Sequence, residues 1–522
     1  MYRRTATAFL LASALATAAF AQPQANLASE RFKSHVSFLA DDLLEGREAG
    51  TRGYDLAARY VAANFEGLGL RPAGTEGSWY QQVPFVRFAT SQPPRITIGG
   101  QAFVHGTDVT FRQNPEAGSV RFDAPAVFAG YGLDAPRLGY DDYRGLDVRG
   151  KVVVVLDGTP EGLRSDVAAH LDSDKRRAAA ARGAVGLLIV RRSAADRQTR
   201  GRPGEPGMTW VDPQGRPFTD APGLRFIATA NESLAAALFQ GARRPLAALR
   251  RDARPRGFAL PRPMTVERES ANTPAASSNV VAILPGTDPA LANEYVLLMA
   301  HLDGLGIRAG TPEGEDSIRN GAMDNATGIA TLIEVARQMS QAGNRPRRPI
   351  LFAAVTAEEK GLLGAQYLAR NPVVGGGRVV GVVNLDMPVL SYDFQDVIAF
   401  GAEHSTLGAA VDQAARSMNV ALTADPLPEQ GLFTRSDHYM FVREGIPAVF
   451  LMTGFAGEGE REFRGFLAGR YHSPGDDLSQ RFDWNAGARY AELNYRIARA
   501  IADADSAPRW NPDSFFATAP RR

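Results

Sequence analysis

From Ser278 onward, short apolar runs of strand length alternate with segments whose apolar residues recur at helical spacing. Val280–Leu284, Tyr295–Ala300, Pro349–Val355, Val379–Leu385 and Ala448–Leu451 read as buried strands. Between and after them, Ile329, Leu332, Ile333, Ala336 and Met339 mark one amphipathic helix. Leu362, Leu363 and Tyr367 mark a second, and Leu493, Ile497 and Ile501 a terminal one. Few architectures accept this alternation. The expected fold class is α/β, a mixed, mostly parallel sheet with helices on both faces.

Upstream the texture differs. Leu27 to Leu70 reads as two helices, the first with Leu39, Leu43 and Leu44 on one face and the second with Leu56, Ala57, Tyr60, Val61 and Phe65. Glu45-Gly46-Arg47 and Gly50-Thr51-Arg52-Gly53 supply the turns between them. Ile96 to Leu260 is β-rich. Within it, strand Val152–Leu156, helix Lys175–Arg182 and strand Val185–Val190 suggest a small α/β module. Arg254–Pro263, with three prolines, and the small polar Thr273–Ser278 read as a linker, and the tail after Ala507 as poorly ordered. The expected division is a signal over 1–21, a helical segment over 27–95, an inserted domain over 96–265, the α/β domain over 278–505 and a tail over 506–522.

The signal rests on Arg3 and Arg4, the short apolar run Ala8–Ala18 and the small-x-small site Ala19-Phe20-Ala21. That run is too short to span a bilayer, so the expected location is periplasmic or extracellular, with no membrane association after cleavage. Composition narrows the chemistry. Lys+Arg (58) nearly balances Asp+Glu (57), which argues against a nucleic-acid partner. There is no cysteine, so disulfides, thiol nucleophiles and thiolate metal sites are excluded. Any metal must sit on His, Asp and Glu, and the chain has only 7 His.

Polar residues fall where the strands of the α/β region end. His301 and Asp303 come directly after the strand Tyr295–Ala300. Asp324 stands at the start of the Ile329–Met339 helix. Glu358-Glu359 comes after Pro349–Val355, Asp386 after Val379–Leu385, and Tyr471-His472 occupies a loop. Sites in open α/β sheets form beyond the carboxyl ends of the strands, so several of these groups should converge on one edge. Two imidazoles and three carboxylates exceed what one zinc needs and suit two metals roughly 3.5–4 Å apart that share a carboxylate. Imidazole with carboxylate favours zinc, with cobalt or manganese as substitutes. Adjacent side chains diverge, so one of Glu358 and Glu359 can bind metal while the other serves as general base. Asp303 is suited to accept the second ring N–H of His301, and Tyr471 to donate to a developing oxyanion.

With these residues in order, the chain resembles the co-catalytic zinc aminopeptidases of metallopeptidase family twenty-eight, the group of bacterial leucyl aminopeptidases. The motifs that carry the resemblance are Ala300-His301-Leu302-Asp303, Asn320 to Gly328, Thr356 to Gly364, Asn384-Leu385-Asp386-Met387, Arg435-Ser436-Asp437-His438 and Tyr471-His472-Ser473-Pro474. It implies a zinc exopeptidase fold and two Zn2+. His301 and Asp386 would hold the first, Glu359 and His472 the second, with Asp324 bridging. Glu358 would be the general base, Asp303 the orienter of His301 and Tyr471 the transition-state tyrosine. Leu44-Glu45-Gly46-Arg47 resembles the family's N-terminal segment. Gly130-Tyr131-Gly132, Tyr140 to Tyr143 and Asp147 to Val152 resemble an inserted protease-associated (PA) domain. Two positions depart from the family pattern, Gly304 where a second His is usual and Met323 where an acidic residue is frequent; neither is a ligand.

The expected activity is hydrolysis of N-terminal residues from peptides. A carboxypeptidase or small-amide deacylase on the same two-metal site is the alternative, a single-zinc glutaminyl cyclase another, and a non-catalytic binding protein of the same fold a remote one. No Gly-x-Ser-x-Gly elbow or His-Glu-x-x-His pair is present, which disfavours serine hydrolases and single-zinc helical proteases. His438 is expected to order a loop beside the site together with Ser436 and Asp437. His35, His105, His170 and His404 are expected to be structural. Cleavage after Ala21 predicts that the exported protein begins at Gln22. N-terminal sequencing or intact mass of the secreted form checks this, and a mature chain still starting at Met1 counts against it.

Overall fold

A computed structural model describes residues 27–192 and 206–518. The proposed signal over 1–21 lies outside the described residues. The chain divides into two compact units. One comprises residues 1–83, 277–426 and 435–522, the other 84–276 and 427–434.

The first unit is built on the strands β1 (Met264–Leu284), β2 (Glu294–His301), β3 (Ile350–Val355), β4 (Arg378–Leu385), β5 (Asp396–Phe400), β6 (Ala421–Thr423) and β7 (Ala448–Thr453). Their order is β1-β3-β2-β4-β7-β5-β6. The four central strands β3, β2, β4 and β7 run parallel, so their carboxyl ends share one edge. Residues 280–284 of β1 pair antiparallel with β3, β5 pairs antiparallel with β7, and β6 lies parallel to β5. Parallel strands buried on both faces need continuous apolar sequence. Ile350–Val355 and residues 296–300 meet that need, each at 0–1% exposure.

Helices cover this sheet in two groups. Of α1 (Arg52–Gly67), α2 (Thr327–Ser340), α3 (Leu363–Arg370), α4 (Leu407–Arg416), α5 (His438–Arg443), α6 (Gly459–Gly469) and α7 (Trp484–Ala502), α7 packs on α2 and α4 while α3 packs on α5. The apolar stripe of α7 is as the spacing predicts, with Leu493, Ile497 and Ile501 buried and the Tyr490 hydroxyl donating to the Leu451 carbonyl at 2.8 Å. Asp483 caps its first turn, accepting from the N–H groups of Asn485 and Ala486. The N-terminal helices are also present, over 27–39 and in α1. Leu43 does not share the buried face of Leu39 and Leu44. The chain turns at Asp42–Arg47, leaving Leu43 82% exposed while Leu44 is buried.

Two other expectations are corrected. Thr273–Ser278, where one unit passes into the other, is not a loose linker but part of the long strand β1, where Ser277 and Ser278 are buried and Ser277 hydrogen-bonds Thr356. Residues 508–518 are not loose, because Trp510 and Phe516 bury their rings and Trp510 donates to the Gly445 carbonyl at 2.9 Å; the rest of the expected tail lies outside the described residues.

The second unit contains a six-stranded sheet in the order Phe258–Ala259, Ala126–Phe128, Val152–Leu156, Gly186–Val190, Ile227–Ala230, Val109–Phe111, parallel through its middle. The expected strand–helix–strand module is there, with the helix longer than expected at Ser165–Ala181. Gly132 has φ 74, and a Cβ there would lie 2.7 Å from Val155 Cγ1, so the Gly130-Tyr131-Gly132 turn can close on the sheet only without a side chain. Asp142 fixes that turn by accepting from the N–H groups of Tyr131 and Leu133 at 3.0 Å each. The unit is wider than 96–265, since it begins at Pro84 and takes in 427–434.

Leu298 lies in the middle of β2 at 0% exposure. Leu298→Ala is expected to destabilise the first unit by about 2–5 kcal/mol, combining lost transfer energy with a cavity between helix groups. Urea unfolding followed by circular dichroism measures the loss.

Candidate metal centre

The shared edge of the parallel strands assembles the site. β2 ends at His301, which sits in register with Val355 at the end of β3, and β4 ends one residue before Asp386. The turn Ala322–Ala326, wider than an α-helical turn, leads into α2 and carries Asp324. Tyr471-His472 comes after α6.

Two donor groups form, each with one imidazole and two carboxylates whose ligand atoms lie within 4.8 Å of one another. In the first, His301 Nε2 is 3.1 Å from Asp324 Oδ1 and 3.1 Å from Asp386 Oδ1. In the second, His472 Nε2 is 3.3 Å from Asp324 Oδ2 and 3.3 Å from Glu359 Oε2. Asp324 faces both imidazoles, one through each oxygen. The structure therefore brings together His301, Asp324, Glu359, Asp386 and His472.

The surrounding residues hold these side chains in place. His301 Nδ1 is 3.0 Å from the backbone carbonyl of Asp303. The Asp303 carboxylate, expected on that ring nitrogen, instead accepts from the backbone N–H groups of Glu358 (3.0 Å) and Glu359 (3.3 Å). Asp303 thus orients the Glu358-Glu359 turn with its side chain and His301 with its main chain. Ser436 donates to Asp386 Oδ2 and accepts from Asn384 Nδ2 at 2.6 Å. Asp437 and His438 are fully buried beside it, and neither belongs to a donor group among the described residues. Tyr471 stacks on His472, ring centroids 3.7 Å apart. Three non-glycine residues in left-handed backbone flank or join the ligands: Ala357 (φ 55), Met387 (φ 45) and His472 (φ 59).

Sequence reasoning overlooked Asp476. Its side chain is 2% exposed and accepts from the N–H groups of Met323 (2.8 Å) and Asp324 (3.0 Å) and from Gln480 (2.6 Å). An acid four residues beyond His472 in a Gly-Asp-Asp turn carries no local signal of that role. Among the remaining histidines of this unit, His35 lies 2.8 Å from the Tyr60 hydroxyl and His404 is 3.1 Å from the Ser514 hydroxyl. In the other unit, His105 accepts the Phe111 N–H at 3.1 Å.

So many carboxyl groups in one buried place repel one another. Burial, with Asp324 and Asp303 nearby, pushes Glu359 up to about 7, although the His472 and His301 charges oppose this. Burial likewise raises Glu358 well above the usual range, reinforced by Glu359, Asp386 and Asp437. Burial and Asp324 raise Asp476 to about 6. Burial works against a charged His301, but the Asp386 charge and hydrogen bonds to Asp324 and Asp386 overcome it and hold that imidazole well above its ordinary value. Burial also opposes ionisation of Asp324, yet hydrogen bonds and charge from His301 and His472 win and hold it low. Imidazole and carboxylate donors in two groups with a shared member, lacking enough positive charge of their own, fit divalent metal, zinc above all.

The sheet topology and this donor arrangement are those of a zinc-exopeptidase fold. Residues 279–498 match the family model described as Peptidase family M28. Leupeptin-inactivating enzyme 1 of Streptomyces exfoliatus is 29% identical over 184 residues, 34% of this chain and 36% of that one. A probable zinc metalloprotease of Pyrenophora teres f. teres is 36% identical over 115 residues, 22% of this chain and 23% of its own. The matched stretches thus span well under half the length of these relatives. The structure of an aminopeptidase from Aneurinibacillus sp. strain AM-1 shares the fold at 20% identity, covering 92% of this chain and 95% of that one with a TM-score of 0.53.

The raised carboxyl groups give the metal-free protein a pH dependence with a defined sign. Asp476 at about 6 against an ordinary 3.8, and Glu359 at about 7 against 4.5, bind protons more tightly folded than unfolded. Their stabilisation is complete below about pH 4 and is lost as pH rises to about 7. Asp324 has the opposite sign, but its window lies below 3.8. Thermal melts from pH 4 to 8 should show the metal-free protein weakening across this range and the zinc-loaded protein not doing so. Parallel curves would contradict the assignment.

Proposed function

We propose that this chain is an exported, zinc-dependent aminopeptidase that removes N-terminal residues from peptides, with two zinc ions in the two donor groups. The observation that carries the reading is the Asp324 carboxylate facing one imidazole on each side, 3.1 Å from His301 and 3.3 Å from His472. One carboxylate joining two otherwise separate donor groups is the arrangement of a two-metal hydrolase. The names of similar proteins, a zinc metalloprotease and an aminopeptidase, support extending that activity here. Manganese or cobalt are reasonable substitutes for zinc.

Metal bound at these groups supplies Lewis acidity toward a carbonyl and acidifies water. The protein's own residues do the rest. Glu358 stands beside the donor groups without belonging to either. Its burial among carboxylates gives it a high affinity for a proton. That suits a group which takes a proton from the attacking water and returns it to the leaving amine. Asp303 holds the Glu358 backbone, so the base has one approach direction. Tyr471 is held against the His472 ring, and its hydroxyl is kept protonated by burial and by the Asp324 and Glu359 charges. A protonated phenol can donate to the oxyanion that develops at the scissile carbonyl. The second unit is read as a PA domain, a β-rich insert whose sheet closes on its own core around Val127, Val153, Val155 and Leu187.

Glu358→Gln preserves shape and removes the base. It should lower kcat by about 100- to 10,000-fold while zinc content measured by mass spectrometry stays at the wild-type level. Near-normal turnover in that variant removes Glu358 from the mechanism. A panel of free aminoacyl and acyl-capped chromogenic substrates, with and without chelator, tests the reading itself. Chelator-sensitive hydrolysis of the free aminoacyl set is expected. Cleavage of capped substrates alone would move the chain to a carboxypeptidase or deacylase.

A further inference from the structure

Five consecutive residues, Asn320 to Asp324, each have a backbone group held by one of two charged side chains or its main chain. On the carbonyl side, Arg47 Nη1 donates to the Asn320 carbonyl at 2.6 Å and Nη2 to that of Gly321 at 3.1 Å. On the amide side, the Ala322 N–H donates to the Asp476 carbonyl at 3.0 Å. The N–H groups of Met323 and Asp324 donate to the two Asp476 carboxylate oxygens at 2.8 and 3.0 Å. Arg47 is 1% exposed and Asp476 2%. Charges buried this deeply cost stability unless their hydrogen bonds are well made.

The same guanidinium reaches further. Its Nε donates to the Leu302 carbonyl at 3.0 Å, and the Arg47 carbonyl accepts the Gly304 N–H at 3.2 Å, so Arg47 brackets Asp303 as well. Gly321 makes the approach possible. At φ 61, a Cβ there would lie 2.3 Å from the Asp324 carbonyl oxygen and 3.1 Å from Arg47 Nη2. Only a planar fork with several fixed donors can satisfy carbonyls from separate segments at once.

We propose that Arg47 and Asp476 are positioning residues, an oppositely charged buried pair that clamps the 320–324 turn and presets the distance from the Asp324 carboxylate to both imidazoles before metal arrives. Neither residue touches a reacting atom. The pair acts by removing freedom from the one ligand common to both donor groups, which lowers the ordering cost of binding. The inference rests on the metal-dependent reading above.

The test is zinc binding by the full chain, with chelator competition for affinity, mass spectrometry for stoichiometry and melting temperatures with and without zinc. Asp476→Asn keeps the shape but turns an amide N–H toward one of the two backbone donors. Arg47→Lys keeps the charge but loses the fork. Both variants are expected to bind at least one zinc ten-fold or more weakly and to show a smaller zinc-induced rise in melting temperature. The cobalt-substituted absorption spectrum should shift as well. Because the rise is a difference within one variant, general destabilisation does not produce the effect. If Asp476→Asn does not fold, Gln480→Leu, which removes the 2.6 Å hydrogen bond onto Asp476, gives the same readout with the clamp weakened. Wild-type affinity for both zinc ions and an unchanged rise would overturn the clamp. A wild-type protein that binds no zinc would instead overturn the reading on which it rests.

Discussion

Buried like charge is the constraint around which the first unit is organised. Asp303, Asp324, Glu358, Glu359, Asp386, Asp437 and Asp476 converge on one edge of the sheet, all buried or half-buried. Each would rather be in water. The protein answers with fixed partners. Backbone N–H groups meet Asp303 and Asp476, imidazoles meet Asp324, Asp386 and Glu359, and a hydroxyl meets Asp386. One guanidinium, Arg47, lies among them, lowered by burial to about 10 and still charged at neutral pH because Asp476, Asp303, Asp324 and Glu359 surround it. Arg47 and the two imidazoles do not balance such a group, and divalent metal at the donor groups would make good the deficit.

The sheet makes this crowding tolerable. β2, β3 and β4 are parallel neighbours, so their ends present side chains side by side with no loop needed to bring them together. The turns that leave those ends are tight. Ala357, Met387 and His472 take left-handed backbone that costs an ordinary residue about 1–2 kcal/mol. Such positions persist only where surrounding packing over-determines them, and here each neighbours or is a proposed ligand. Fully buried strands and the helices α2, α4 and α7 beneath the site supply that packing.

The fold was legible because strands buried on both faces leave unmistakable apolar runs, and the polar residues just past those runs stood out for the same reason. His301 and Asp386 are each the first residue after such a run, next to Ala300 and Leu385. Asp303 was harder. Its partner looked like the His301 ring, since a single residue separates them, but the strand end turns so that the carbonyl meets the ring and the carboxylate crosses to the Glu358-Glu359 amides. Long-range hydrogen bonds of that kind have no signature in spacing. Arg47 and Asp476 illustrate the same limit, because what makes them matter is the set of backbone groups they reach. Leu43 and residues 508–518 depart from expectation for a simpler reason, that exposure depends on where the chain turns, not on which residues are apolar.

Arg47 bonds residues 255 and 274 positions further along the chain, with residues 84–276 of the second unit intervening, and Asp476 lies beyond them all. The turn that carries Asp324 is therefore incomplete until nearly the entire polypeptide exists. A nascent or truncated chain ending before position 471 has neither His472 nor the Asp476 that meets the amide side of the turn. Chain order thus works as a delay on assembly: on the two-metal reading proposed above, a chain still being made lacks a ligand of the second donor group.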